Sequence, residues 1–439
     1  MLLDPHSGRE APGTLCLEYG RIKWVVSGEA EPEGEVVDLP GLIVCPGLVD
    51  LHVHLRVPGQ EYKEDLVSGT RAAVAGGFTT VCAMPNTTPA LDRPERIAAL
   101  QEQIAREARC RVLIAGAATV DNAGEELTDF TALREAGCVA VTDDAFPLQE
   151  ASQMGEVLRR AHQADLPFLA HLELRHLSAN GVVTAGPVAE ELGLPGQNPA
   201  SEAQALLHWA EAAEGQGRLH ILHLTTADAV DFLRHLRAGP FFEALTAETA
   251  PHYLTLTTEA VRRWGAEAKM NPPLREERDR LALIEALQRN VIQVLATDHA
   301  PHAPEEKARG LAEAPFGITG LETCVGVVLT HLVNSGRLTL RHALAKLSTN
   351  PARILERGMS SFQEGRVEEG TDTFSPRKGV CPLCLEPGQP ADLTILDLHK
   401  SWTVDPSQFQ SKGRATPFAG EKLTGKVWGT IVGGEWRMQ

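Results

Sequence analysis

The chain has 439 residues, of which 43% are hydrophobic and 23% are charged. This length exceeds one average domain and favours a large domain with a smaller companion, and the charge content excludes wholesale disorder. The formal net charge of −17 disfavours binding to nucleic acid or to an anionic membrane, so an anionic ligand would need local cations or metal ions.

The sequence indicates neither a signal peptide nor a membrane-spanning segment. Residues 1–14 lack a basic stretch followed by an apolar one, and no apolar run reaches about 18 residues. We therefore expect a cytoplasmic protein. Its eight cysteines are scattered and predict buried small side chains, not a disulfide framework. Cys381 and Cys384 form one CxxC pair, which has no second ligand pair nearby and is weak support for a metal site.

Short β-rich runs alternate with helical stretches along most of the chain. The predicted strands are 42–55, 78–84, 111–117, 139–143, 167–171, 219–224, 245–250 and 291–296. The predicted helices are 63–75, 94–108, 150–163, 201–214, 227–237 and 277–288. This alternation predicts an α/β protein with a closed parallel (β/α)8 barrel of the TIM type. An open doubly wound sheet competes with it, but no glycine-rich phosphate turn follows the first strand.

The two ends of the chain are predicted to form one small β-sandwich domain. Short strands are indicated within 14–27, at 35–38, at 391–398 and within 426–437. We place this domain at 1–46 and 357–439, and the barrel at 47–356. Residues 364–390 are rich in glycine, proline and charge, which predicts an exposed loop.

Two histidines and an arginine occupy alternate positions of the first predicted barrel strand. Because alternate side chains share a face, His52, His54 and Arg56 should point into the barrel, and residues 51, 53 and 55 should pack on the helices. Buried imidazoles are costly unless something binds them, and a divalent ion does so. Two core histidines with ordinary hydrogen bonds are the competing interpretation.

Other predicted strands end in residues of the same kinds. These residues are Asp143 and Asp144, His171, His220 and His223, and Asp298, His299 and His302. Because His220 and His223 are three residues apart, we expect them on opposite faces, with His223, nearer the rim, at a metal. Barrel enzymes build their sites at the carboxyl ends of the strands, so this coincidence predicts a metal-dependent site.

Four histidines and two carboxylates suit two divalent ions. Zinc is the best candidate, because it lowers the pKa of bound water to about 7 and so supplies a nucleophile at neutral pH. Asp298 is our choice for the carboxylate that moves the proton of that water. The strand pattern does not choose between Asp143 and Asp144.

Eight short stretches in the predicted barrel form a recognisable set. They are His52-Val53-His54-Leu55-Arg56, Ala83-Met84-Pro85-Asn86-Thr87, Thr142-Asp143-Asp144, Ala170-His171, His223-Leu224-Thr225-Thr226, Lys269-Met270-Asn271-Pro272-Pro273-Leu274-Arg275, Ala296-Thr297-Asp298-His299-Ala300-Pro301-His302, and Ala314-Pro315-Phe316-Gly317-Ile318-Thr319-Gly320-Leu321-Glu322-Thr323. Because these stretches occur in the family's order, the chain resembles the dihydroorotases of the amidohydrolase superfamily, in their long-chain bacterial branch.

The resemblance implies a reaction and a role for each site residue. The reaction is the reversible hydrolysis of (S)-dihydroorotate to N-carbamoyl-L-aspartate, a step of UMP biosynthesis. The implied metal ligands are His52 and His54 for one zinc ion, His171 and His223 for a second, Asp144 bridging the two, and Asp298, which is also the general acid and base. The implied substrate-binding residues are His54, then Arg56, Asn86 and His302 for the carboxylate, and Asn271 with the backbone of Phe316 and Gly317 for the ring amide edges.

The positions of the lysines indicate which branch of the amidohydrolase superfamily the chain resembles. No lysine occurs between Lys63 and Lys269, so predicted strands two to six cannot supply the carboxylated lysine with which many relatives, hydantoinase-like enzymes among them, bridge their metals. An aspartate bridge is the available alternative. Two positions depart from the family pattern: Ala145 stands where glycine is usual, and residues 172–174 read Leu-Glu-Leu where Cys-Glu-Asp is frequent.

Two other functions are left open. One is a hydantoinase or allantoinase that acts on another cyclic amide; the missing lysine and the pair Arg56 and Asn86 oppose it. The other is a non-catalytic scaffold partner of aspartate carbamoyltransferase, which the full ligand set opposes. The expected partner of the enzyme is its small-molecule substrate. A homodimer and a complex with aspartate carbamoyltransferase are also left open.

Overall fold

A computed structural model describes residues 1–31, 34–213, 215, 217–239, 242, 244–359 and 384–438. Most of the loop predicted at 364–390 lies outside these residues, and so does Cys381 of the CxxC pair. Among the described residues, no helix combines the length and the apolar character needed to cross a membrane.

Strands and helices follow one another along the whole described chain. The strands are β1 Leu2–Asp4, β2 Arg9–Ala11, β3 Gly13–Glu18, β4 Arg21–Ser27, β5 Ile43–Pro46, β6 Leu48–Val53, β7 Phe78–Ala83, β8 Arg111–Ala117, β9 Ala140–Thr142, β10 Phe168–Ala170, β11 Val183–Thr184, β12 Gly196–Gln197, β13 Arg218–Ile221, β14 Ala244–Thr249, β15 Val294–Leu295, β16 Leu393–Thr403, β17 Lys422–Val432 and β18 Glu435–Met438. The α-helices are α1 Leu66–Ala75, α2 Pro94–Glu107, α3 Phe130–Glu135, α4 Ala151–Gln163, α5 Arg175–Ser178, α6 Pro187–Leu192, α7 Ala200–Ala212, α8 Ala227–Arg237, α9 Pro251–Thr255, α10 Glu259–Trp264, α11 Glu277–Gln288, α12 Pro304–Lys307, α13 Leu321–Val328, α14 Leu340–Leu344 and α15 Asn350–Met359.

Eight parallel strands form the barrel. They lie in the order β15, β14, β13, β10, β9, β8, β7, β6, and a parallel bridge between Val53 and His299 joins the two ends of this order. The predicted (β/α)8 architecture is confirmed. Apolar side chains fill the interior, and Ala352 and Leu355 of α15 pack against them. The interior below the rim is therefore a packed core, and the site lies at the rim.

Strand β6 departs from the predicted alternation. Leu51 packs in the interior cluster, whereas Val53 and Leu55 pack between the sheet and the helices. The expectation that all three face the helices is wrong for Leu51. The pairing of β6 with β7 shifts register between Asp50 and Val53, and such an irregularity changes the direction of the side chains that follow it.

The chain ends form a six-stranded mixed sheet in the order β18, β17, β16, β5, β1, β2, and the hairpin β3–β4 lies beside it. Apolar side chains of both, such as Ile22 and Ile395, share one core, as the predicted sandwich requires. The strand predicted at 35–38 is wrong: these residues form no strand. The side chain of Val36 is 59% exposed. The segment therefore buries no apolar face that would favour a strand.

Residues near the C-terminus contact the barrel close to its rim. Buried Glu64 accepts hydrogen bonds from the Ser411 hydroxyl and, at 3.1 Å, from the Lys412 amide, and its carboxylate lies 3.3 Å from His299 Nε2. His299 adjoins Asp298. The terminal part of the chain thus helps to hold the last barrel strand. The domain limits at 46/47 and 356/357 stay predictions.

Candidate active site

The backbone turns out of the extended conformation just beyond four barrel strands. Arg56, Ala145, His223 and Asp298 have φ angles of 61°, 63°, 29° and 47°. Left-handed conformations of residues other than glycine cost about 1–3 kcal/mol each and cluster at functional sites. Ala145 therefore carries strain that a glycine at this position would largely avoid.

Asp144 lies at the centre of a histidine cluster. Its carboxylate oxygens lie 3.5 Å from His52 Nε2, 3.6 Å from His54 Nε2, 3.4 Å from His171 Nδ1 and 3.7 Å from His223 Nε2. Two ligands that are each about 2.1 Å from one tetrahedral zinc ion lie about 3.4 Å apart. The separations around Asp144 are therefore those of groups that share metal ions.

Asp298 faces the same cluster. Its Oδ1 lies 3.2 Å from His54 Nε2 and 3.5 Å from His52 Nε2. Two groups of three side chains bring their ligand atoms within 4.8 Å of one another: His52, His54 and Asp298, and His52, Asp144 and His223. The structure therefore brings together all six side chains that the sequence nominates as metal ligands.

Buried atoms without hydrogen-bond partners test whether these residues fit a metal. His52 Nε2, Asp144 Oδ2 and His171 Nδ1 are buried and have no such partner among the described residues. Unsatisfied polar atoms in a protein interior are costly. A divalent ion would satisfy all three, so the donor set fits the metal centre that the sequence predicts.

The structure separates the roles of Asp143 and Asp144. The Asp143 carboxylate accepts the amide hydrogens of Leu148 at 2.8 Å and of His171 at 2.9 Å. Burial raises the pKa of Asp143 to about 7. Asp143 thus ties the ends of β9 and β10 together through the backbone, while Asp144 faces the histidines.

Polar contacts orient two of the histidines. His54 Nδ1 lies 2.9 Å from Asn86 Oδ1, and His171 Nε2 lies 3.1 Å from Glu173 Oε2. Because each contact engages one ring nitrogen, the other nitrogen is the one that faces the carboxylates: His54 Nε2 faces Asp298 and His171 Nδ1 faces Asp144. Asn271 donates to Glu173 at 3.0 Å. The substrate roles of Asn86 and Asn271 stay predictions; in the structure Asn86 contacts His54, and Asn271 contacts Glu173 and Gln197.

The expectation that His220 and His223 lie on opposite faces is wrong. His220 Nε2 lies 3.1 Å from Glu248 Oε2, and Glu248 Oε1 lies 2.9 Å from His52 Nδ1, so His220 is also inside the barrel. His223 reaches Asp144 because its left-handed backbone ends the strand alternation. His223 is the one at the cluster, and His220 lies one layer below it.

Sequence reasoning missed three residues of the site: Glu173, Glu248 and His252. His252 Nε2 is buried and has no hydrogen-bond partner among the described residues. Burial lowers the pKa of His252 to about 4, and the negative charge of Asp298 opposes this shift. The strand-end rule could have found His252, because it follows the seventh predicted strand by two residues. Glu248 lies within that strand, where the rule does not apply.

Arg56 and His302 form a polar subsite in which Arg56 carries the positive charge. Arg56 donates from Nε to Pro301 O at 3.1 Å, and its Nη2 lies 3.2 Å from His302 Nε2. His302 Nε2 lies 2.7 Å from Phe316 O. Burial, reinforced by Arg56, lowers the pKa of His302 to about 3, so His302 is neutral and donates to Phe316. The Nη2 of Arg56 therefore faces a hydrogen-bond donor and lacks an acceptor. An anionic ligand would supply that acceptor.

Buried Lys307 holds the loop at 315–317. Its Nζ donates to Gly317 O at 2.9 Å and to Pro315 O at 3.2 Å, and Gly317 N donates to Lys269 O at 3.0 Å. The peptide groups of Gly317 thus already have protein partners. The predicted binding of the ring amide edges by Phe316 and Gly317 stays a prediction.

Gly317→Ala is expected to destabilise the fold by about 1–3 kcal/mol. Gly317 has a φ of 132°, and an added Cβ would lie 2.5 Å from the carbonyl oxygen of Ala300. Urea denaturation measures the loss. Gly310→Ala is the control, because Gly310 has a φ of 86° but no atom within 4 Å of the added Cβ. Equal losses for the two variants would show that the contact with Ala300 contributes nothing.

Comparison with known proteins identifies the family. The model of the family "Dihydro-orotase-like" matches residues 41–228. A dihydroorotase of Syntrophotalea carbinolica is 42% identical over 434 residues, which cover 99% of this chain and 96% of that protein. The chain belongs to the dihydroorotase family. A dihydroorotase of Bacillus cereus is 40% identical over 431 residues, 98% of this chain and 94% of that protein.

Solved structures with this fold include a hydantoinase and a dihydropyrimidinase. The L-hydantoinase of Arthrobacter aurescens has a TM-score of 0.82 at 24% identity, covering 99% of this chain and 94% of that one. The dihydropyrimidinase of Brevibacillus agri has a TM-score of 0.80 at 20% identity, covering 99% and 93%. At these identities the likeness shows the fold alone. Membership of the dihydroorotase family confirms the resemblance carried by the eight sequence stretches.

Proposed function

We propose that this chain is a metal-dependent cyclic amide hydrolase that interconverts (S)-dihydroorotate and N-carbamoyl-L-aspartate in pyrimidine biosynthesis. The observation that carries the proposal is the convergence of four imidazoles on Asp144, with Asp298 facing two of them. The membership of the dihydroorotase family supports it. The hydantoinase and scaffold alternatives have no comparable support.

The proposed metal ligands are the six side chains nominated by the sequence. His52, His54 and Asp298 would hold one ion, His171 and His223 a second, and Asp144 would lie between them. Two bound zinc ions would activate water and polarise the substrate carbonyl. Because His52 is also near Asp144 and His223, His52 lies close to both proposed positions.

Asp298 would move the proton in this reaction. Burial opposes ionisation of its carboxyl group, but His52 and His54 prevail and hold its pKa at about 2. Asp298 is therefore a carboxylate at neutral pH and can accept a proton from the attacking water. In the hydrolytic direction it then donates this proton to the ring nitrogen as the amide bond breaks.

Arg56 would bind the substrate carboxylate and so orient the ring. Burial lowers the pKa of Arg56 to about 10, which leaves the guanidinium charged at neutral pH. Its planar donors match a carboxylate in a bidentate arrangement. Hydantoin and allantoin have no ring carboxylate, so this subsite favours dihydroorotate over both.

Cellular and quaternary properties stay predictions. We expect a cytoplasmic enzyme whose partner is its small-molecule substrate. A homodimer and a complex with aspartate carbamoyltransferase are tested by the mass of the purified protein and by co-purification.

Removal of metal is expected to lower dihydroorotate turnover by at least about 100-fold, because the nucleophile at neutral pH depends on the metal. The measurement is turnover before and after chelation, with elemental analysis of the purified protein and restoration by Zn²⁺. Hydantoin and allantoin serve as control substrates. Full activity in a metal-free preparation, or faster turnover of hydantoin than of dihydroorotate, would contradict the proposal.

A further inference from the structure

Glu248 lies inside the barrel below the metal site. It belongs to β14, which pairs with β13 on one side and with β15 on the other, and its side chain is fully buried. A buried carboxylate is costly unless it is hydrogen-bonded. Each of its two oxygens faces a histidine ring nitrogen, and these contacts show what the carboxylate does.

The contacts of Glu248 form a line that ends at a proposed metal ligand. Oε1 lies 2.9 Å from His52 Nδ1 and 3.3 Å from the His223 amide nitrogen. Oε2 lies 3.1 Å from His220 Nε2, and His220 Nδ1 lies 2.8 Å from Thr246 Oγ1. The line therefore runs from Thr246 through His220 and Glu248 to His52.

Each hydrogen bond along this line has a defined donor and acceptor. A carboxylate accepts hydrogen bonds, so the proton of His52 lies on Nδ1, and the lone pair on Nε2 faces Asp144 and Asp298. His220, with its proton on Nε2, donates to the other oxygen, and the Thr246 hydroxyl can donate to His220 Nδ1. The negative charge behind His52 makes that imidazole a stronger ligand.

We infer that Glu248 is a positioning residue that fixes the His52 tautomer and strengthens metal binding, and that His220 and Thr246 hold Glu248 in place. The inference rests on the proposed metal centre. It gives a role to His220, which lies inside the barrel and contacts Glu248 and not the proposed ligands. It also assigns a role to a buried carboxylate whose two oxygens both face histidine ring nitrogens.

The test is the metal affinity of Glu248→Gln, measured with Co²⁺ and Zn²⁺ by competition with a chromophoric chelator. Glutamine has the same shape and can still accept from His52, but it has no charge. We expect binding of the more tightly held ion to weaken about 10–100-fold, with a changed visible spectrum of the Co²⁺ form. An affinity within twofold of the unaltered protein and an unchanged spectrum would overturn the inference.

A matched variant separates ligand tuning from general loss of stability. Glu202 is also a buried carboxylate at the rim, but it accepts hydrogen bonds from Thr225 at 2.9 Å and from Thr226 at 2.6 Å, and not from a ligand imidazole. Glu202→Gln should lower the unfolding temperature and leave the Co²⁺ spectrum unchanged. If Glu202→Gln changes the spectrum as much as Glu248→Gln does, the effect is structural and the inference fails.

A second variant keeps the test decisive if Glu248→Gln does not fold. His220→Gln retains a donor toward Glu248 but loses the contact with Thr246, and we expect a weakening of at least threefold; unchanged affinity would refute the inference. The unaltered protein distinguishes this failure from that of the proposed function. If it binds no metal and does not hydrolyse dihydroorotate, the proposed function fails. If it does both and the variants bind equally well, only the role of Glu248 fails.

Discussion

Asp298→Asn is expected to lower kcat for dihydroorotate by about 10²–10⁴-fold, the usual contribution of a general acid and base. Asparagine has nearly the same shape, but it can neither accept the proton of the attacking water nor return it to the ring nitrogen. Steady-state kinetics in both directions measure the effect. Asp298 accepts and returns the same proton in hydrolysis and in ring closure. Hydrolysis and ring closure should therefore slow by the same factor.

Metal content must be measured alongside, because Asp298 is also a proposed ligand. Asp298 Oδ1 lies beside His54 and His52, so its loss could release an ion as well as the base. Saturation with Zn²⁺ separates the two effects. If excess Zn²⁺ returns the turnover of Asp298→Asn to near its original value, then Asp298 serves only as a ligand and the proposed proton transfer is wrong.

Arg56→Lys is expected to raise KM for dihydroorotate about 10–100-fold with a smaller change in kcat. Lysine keeps the positive charge but loses the planar pair of donors, and hydrogen bonds to charged groups contribute about 1.5–3 kcal/mol. Lysine also lacks the Nε that donates to Pro301. The effect should therefore be mainly on substrate binding, measured as KM at saturating metal.

Dihydrouracil provides the control for Arg56, because it has the same ring without the carboxylate. The unaltered enzyme should turn it over poorly, and Arg56→Lys should not make that turnover worse. An unchanged KM for dihydroorotate in this variant would mean that the carboxylate binds elsewhere. Equal losses on both substrates would mean that Arg56 supports the fold of the rim and not the carboxylate.

The barrel could be predicted because its periodicities are local. Helices α8 and α11 begin and end where the sequence indicates, since the spacing of apolar residues along a helix needs no knowledge of its neighbours. The strand at 35–38 was predicted wrongly because two adjacent valines favour a strand only where a partner strand lies alongside.

The side-chain directions at the rim were harder to predict because they depend on departures from regular structure. The alternation rule placed His52 and His54 correctly but misplaced Leu51, because the pairing of β6 shifts register at that point. It also misplaced His220, because His223 leaves the extended conformation. Bulges and left-handed residues arise from tertiary packing, which a single strand pattern does not contain.

Carboxylates such as Glu248 and Glu173 could not be predicted for another reason. The role of Glu248 is defined by His52, which is 196 residues away along the chain. Glu173 lies only two residues from His171, but strand β10 ends at Ala170, so the strand alternation does not relate the directions of these two side chains. The sequence alone therefore predicts the ligand atoms of the site better than the groups that orient them.

The contact of Glu64 with Ser411 and Lys412 has a consequence for protein synthesis. Every proposed ligand has been translated once residue 298 has left the ribosome, yet the carboxylate that supports His299, next to Asp298, still lacks its partners. Strand β16, which pairs with β5 immediately before the first barrel strand, is also made later. A ribosome-bound chain that stops short of residue 411 would therefore carry all the proposed ligands without the finished scaffold, and we expect the metal centre to mature only after the C-terminal segment has been made.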